Sequence, residues 1–68
     1  MKMLDVVALI EDYPKANLKR GQVGTIVEDY GDQVFEVEFV DLDGRTYAVE
    51  TLAAQQLIQL LHQPVEAA

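Results

Sequence analysis

Leu18-Lys19-Arg20-Gly21-Gln22-Val23-Gly24-Thr25-Ile26-Val27-Glu28 is the stretch where a polar loop turns into an apolar strand. Gly21 gives the backbone access to positive φ at the loop's end, and Gly24 leaves room for another strand or ring to pack closely. Thr25, Ile26 and Val27 follow with stiff β-branched side chains that suit a pleated, half-buried surface. The stretch reads as the start of a strand over Val23–Tyr30, in a β protein.

Working toward the N-terminus, Lys15–Arg20 is polar except for Leu18, which reads as an anchor tucked onto the core. Pro14 lacks the N–H a ladder needs and pushes Tyr13 toward extended geometry, so a preceding strand must end before it. That strand is the short apolar run Leu4–Ile10. Toward the C-terminus, Gly31-Asp32 is placed for a tight hairpin turn. Val34-Phe35-Glu36-Val37-Glu38-Phe39-Val40 then alternates cleanly, with Phe35, Val37 and Phe39 on a core side and Glu36 and Glu38 on a wet side. Asp41-Leu42-Asp43-Gly44 is a second turn, with positive φ expected at Gly44. Arg45–Glu50 is a fourth strand.

The tail admits two readings. Thr51 can cap a helix along which Ala54, Leu57, Ile58 and Leu61 recur at helical spacing. Alternatively Thr51–Gln56 makes one short helical turn and Leu57–Leu60 closes the sheet as a fifth strand. The second reading is preferred, because four strands leave an edge that a fifth would cover. Short strands, tight turns and a helical turn before the last strand give an all-β fold, a small five-stranded antiparallel SH3-like barrel. Residues 1–62 form this one domain, and 63–68 read as a frayed tail.

With 68 residues the chain has a single small core and no cysteine for a disulfide, a redox centre or a thiolate metal site. Its one histidine, His62, has no partner in the sequence for zinc or for a catalytic triad. No cofactor and no metal are expected, and the chain reads as a non-enzyme. No apolar run approaches the roughly 18 residues that span a bilayer. Met1–Asp5 is a poor signal peptide, so a cytoplasmic, bacterial-type protein is expected. Twelve carboxylates against five cations give a net charge of −7, which repels phosphate backbones and attracts basic partners.

Leu4-Asp5-Val6-Val7-Ala8-Leu9, Leu18 to Glu28, Glu36-Val37-Glu38-Phe39-Val40 and Gly44-Arg45-Thr46-Tyr47-Ala48 resemble, in that order, a family of very short bacterial proteins of unknown function. The resemblance spans roughly residues 4–60. It implies an SH3-like barrel without established catalytic residues, and a stand-alone partner protein of the antitoxin or immunity kind. A dozen residues around Gly21-Gln22-Val23-Gly24 also resemble the KOW motif of ribosomal and transcription proteins.

The candidate binding residues fall in three sets. Glu36 and Glu38, with Asp41 and Asp43 beyond them, form an acidic face for a basic protein, or more plainly a solvated sheet face. Lys19 and Arg20, the only adjacent cations, offer contacts to phosphate or carboxylate, or are simply an exposed loop. Tyr13, Tyr30 and Tyr47 form an aromatic set, with Tyr13 and Tyr30 at strand ends where barrel loops line a groove, or they pack on the rim with their hydroxyls in water. The leading expectation is a small acidic interaction module that binds a basic protein, encoded nearby or as a subunit of a larger assembly. The alternative is a KOW-like contact to RNA or the ribosome through Lys19, Arg20 and Tyr13.

Overall fold

The computed structural model describes residues 1–61. His62 and the tail expected to fray lie outside the described residues. Five strands account for the long elements: β1 (Val6–Leu9), β2 (Val23–Gly31), β3 (Val34–Val40), β4 (Thr46–Ala53) and β5 (Leu57–Gln59). Two single-turn 3-10 helices, Pro14–Ala16 and Ala54–Gln56, complete the described elements. All neighbouring strands run antiparallel, in the order β4-β3-β2-β1-β5.

The expected all-β class is observed, but closure is not. β5 pairs with β1, through Leu57 opposite Leu9 and Gln59 opposite Val7, and does not reach β4. β2 occupies one side of β1 and leaves the other free, so the short last strand completes that side instead. Among the described residues the sheet stays open, with β4 and β5 at its edges.

Strand ends shift for local reasons. β1 starts at Val6 rather than Leu4, because Leu4 takes a φ of 71° in a turn that bonds the Asp5 N–H to the Lys2 carbonyl. β4 runs on through Thr51 to Ala53, so Thr51 caps nothing. The helical reading of the tail fails on side-chain alternation: Leu57 is buried and Ile58, beside it, is exposed. Only Ala54–Gln56 turn, held by the Ala53 N–H donating to Gln56 Oε1 at 2.8 Å.

Period-2 alternation puts the apolar side chains on one face of the sheet. Val7, Leu9, Ile26, Phe35, Val37, Phe39, Leu52 and Leu57 are all buried there. Leu18 joins them from the loop, as its isolation among polar neighbours suggests. That loop is pinned by reciprocal backbone bonds between Tyr13 and Leu18, at 2.8 and 3.1 Å. Asp12 Oδ1 takes the Arg20 N–H, and Gly21, at φ +92°, turns its N–H back to the Leu9 carbonyl. Gly24 lies directly over the core, where a Cβ would come within 2.6 Å of Val37 Cγ1.

Candidate functional site

The face of β3 opposite the core carries Glu36 and Glu38, both half-buried. Cross-strand pairing supplies their neighbours. Glu38 lies between Thr25 of β2 and Val49 of β4, and its Oε2 accepts the Thr46 hydroxyl at 2.7 Å. Glu36 lies between Thr51 of β4 and Glu28 of β2.

The Glu28–Glu36 juxtaposition is made by two irregularities in the β2–β3 ladder. Alternation from the buried Ile26 would send Val27 outward and Glu28 inward. The register shifts between Ile26 and Glu28, and again between Asp29 and Gly31, leaving Val27 and Tyr30 as the extra residues. The first shift turns Glu28 to the outer face, directly opposite Glu36. Asp29 Oδ1 supports the second by accepting the Gly31 N–H at 2.9 Å. The hairpin turn is therefore one residue later than Gly31-Asp32: Gly31 pairs with Val34, and Asp32 and Gln33, at φ 54° and 63°, make the turn.

Tyr30 stands beside this carboxylate pair. A side-chain hydrogen bond to Glu36 pushes its hydroxyl pKa up, with smaller upward contributions from desolvation and from the charges of Glu36 and Glu28. The hydroxyl stays protonated, a donor among acceptors. Like charges facing each other across a ladder oppose folding, so this face is arranged against its own stability.

The other candidates are dispersed. Asp41 serves the β3–β4 turn, where its Oδ1 accepts the N–H groups of Asp43 and Arg45 at 2.9 and 3.0 Å; Asp43 sits exposed in the same turn. Gly44 has the expected positive φ of 81°. Lys19 and Arg20 are exposed on the loop before β2, away from Glu28 and Glu36 along the strand. Tyr13 packs against the core. Tyr47, tilted against Phe39 with ring centroids 6.3 Å apart, accepts a hydrogen bond from Gln22 Nε2 at 3.0 Å. Tyr30 and Tyr47 belong to opposite ends of the β2–β3–β4 ladder, so the tyrosines share no single groove.

Glu28 escaped the sequence reading because simple alternation assigns it to the other face. Two further acids gain neighbours from the fold. Glu50 is half-buried on the core face of β4, opposite Val37. Asp32 lines a shallow cleft of about 430 Å³ with Gln33, Ala53, Ala54 and Gln55. Among the described residues no three potential ligands converge on a metal site, and no helix is long and apolar enough to cross a membrane.

The fold and site together define a small all-β protein whose outer sheet face is acidic. The chain belongs to the family described as "Domain of unknown function (DUF4926)", which it matches over residues 3–59. No curated protein and no solved structure matches it.

Proposed function

We propose that this protein is a non-catalytic interaction module that binds a basic protein through the Glu28, Glu36, Glu38 and Tyr30 face. The observation that carries the reading is the bulged register that sets Glu28 opposite Glu36. A lysine or arginine from a partner removes the repulsion of that pair and gains two charge-assisted hydrogen-bond acceptors at once. The net charge of −7 steers such a partner toward the protein. The strand order, with a single 3-10 turn before the last strand, supports an SH3-like arrangement of the sheet, a scaffold suited to a cytoplasmic bacterial partner protein of the antitoxin or accessory-subunit type.

The test is affinity capture from the source cells at low and moderate salt. The baits are the parent protein and a Glu28→Gln/Glu36→Gln/Glu38→Gln variant whose folding is checked by circular dichroism. One basic protein, held in near-equal amount by the parent and released by salt or by the substitutions, is the expected result. Equal retention by both baits refutes the acidic face as the contact. RNA in place of protein would favour the KOW-like alternative.

A further inference from the structure

The edge of the sheet at β4 shows how such a partner is held. β4 is eight residues long and, among the described residues, has a neighbour, β3, on one side only. The Ala54 N–H bonds to the Gln33 carbonyl at 2.9 Å, which sets the phase of the β3–β4 ladder. Antiparallel pairs alternate between bonded and non-bonded positions. In that phase Ala48, Glu50 and Leu52 turn their backbone groups toward β3, opposite Phe39, Val37 and Phe35. Val49, Thr51 and Ala53 then direct their N–H and C=O groups at the open edge. The Ala53 N–H is already given to Gln56 Oε1 at 2.8 Å, so among the described residues two donors and three acceptors stay unused, the template an incoming strand requires.

The charges around this edge select the occupant. Glu50 lies at its centre, and Glu38 and Glu36 flank Val49 and Thr51 from β3. At its far end the edge meets the cleft of about 430 Å³, which Ala53 lines together with Asp32. β4 itself carries one charge, Glu50, and neither lysine nor proline. A second copy would set Glu50 near its own counterpart and bring together two chains of charge −7. We infer that the β4 edge, from Val49 to Ala53, receives an extended basic segment of a partner protein as a sixth antiparallel or parallel strand. The backbone supplies the hydrogen bonds; Glu36 and Glu38 select lysine or arginine at alternate positions on the outer face, and Glu50 selects one at an intervening position on the core face. The inference rests on the proposed acidic interaction module and names the partner's conformation and chemistry.

The probe is a synthetic octapeptide alternating lysine with valine, with a glutamate–valine peptide as control, added to the full chain labelled for amide NMR. Saturable, salt-sensitive binding of the lysine peptide, with slowed exchange of the Val49 and Thr51 edge amides, is expected. Thr51→Pro removes one edge-facing N–H without touching the β3 ladder and should weaken binding about tenfold. If that variant proves unfolded, Glu50→Lys should weaken binding while its amide spectrum remains that of a folded sheet. Binding that shifts the Glu28, Glu36 and Glu38 resonances but leaves the edge amides in fast exchange refutes the added strand and spares the acidic module. No binding of the lysine peptide refutes the strand inference, and retention of a basic protein in the capture experiment would then keep the module alone. Edge amides already protected in the free chain, with a dimer mass by sedimentation, would give the edge to a second copy and overturn the inference.

Discussion

Gly24→Ala is the substitution whose consequence the coordinates define most sharply. The added Cβ would lie 2.6 Å from Val37 Cγ1, 2.9 Å from the Glu38 carbonyl oxygen and 3.1 Å from Phe39 Cδ1. Carbon atoms in contact prefer a separation of about 3.5–4.0 Å, so Val37 would have to retreat by roughly an ångström. It has nowhere to go, since Val37 and Phe39 are both fully buried. Nor can the Glu38 carbonyl recede without parting β3 from β2, where Thr25 and Ile26 pair with Glu38 and Val37. Overpacking of this kind costs about 1–3 kcal/mol, and a clash with backbone belongs at the upper end. Alanine returns about 0.4–1 kcal/mol by stiffening the unfolded chain, which leaves a net loss of about 2 kcal/mol. A domain of this size has about 3–5 kcal/mol to lose, and the melting temperature should fall by roughly 8–16 °C. Urea unfolding followed by circular dichroism measures it, with an unchanged m-value showing that stability alone has moved. Because Val37 supplies the closest contact, Val37→Ala should relieve part of the clash, and the double variant should be more stable than the two losses added together. A Gly24→Ala protein within about 0.5 kcal/mol of the parent, or strict additivity with Val37→Ala, would refute the close approach of β2 to β3 at this point.

Three further outcomes are expected. Glu36→Gln should stabilise the fold by about 0.5 kcal/mol at low salt, less at 1 M salt, while weakening partner binding; a loss of stability would mean that Glu36 is a structural residue. Tyr30 should titrate above its ordinary pKa of about 10, and in Glu36→Gln it should move back toward that value, as ultraviolet absorbance of the phenolate reports. Since the folded chain holds that proton more tightly, the contact's stabilisation is complete below about pH 10 and is lost as pH rises through the raised value; an unchanged Tyr30 titration in the variant would refute its link to Glu36. Gln33→Gly should raise stability by about 0.5–1 kcal/mol in thermal melts, because Gln33 holds a φ of 63° that costs a β-carbon energy and glycine nothing; an unchanged or lower midpoint would show that its side chain compensates.

What the sequence by itself determined was local. Val34–Val40 could only be a strand with Phe35, Val37 and Phe39 inward, because one residue's slip would bury two glutamates. Pro14 barred a strand from running through it, Leu18 had no partner except the core, and Gly21, Gly24 and Gly44 marked places where a side chain would strain or collide. The candidate residues Glu36 and Glu38 followed from the same alternation. Tertiary structure decided what depends on register and closure. Two extra residues in β2, Val27 and Tyr30, turn Glu28 outward and create the carboxylate pair, yet neither has a composition that announces a bulge. The choice of β1 over β4 by the three residues of β5 left an open edge where a closed barrel was expected. Periodicity records which face of a strand meets the core, because apolar burial is paid for residue by residue. Pairing partners, bulges and edges depend on which backbone reaches which across the whole sheet, and the backbone is the same at every position.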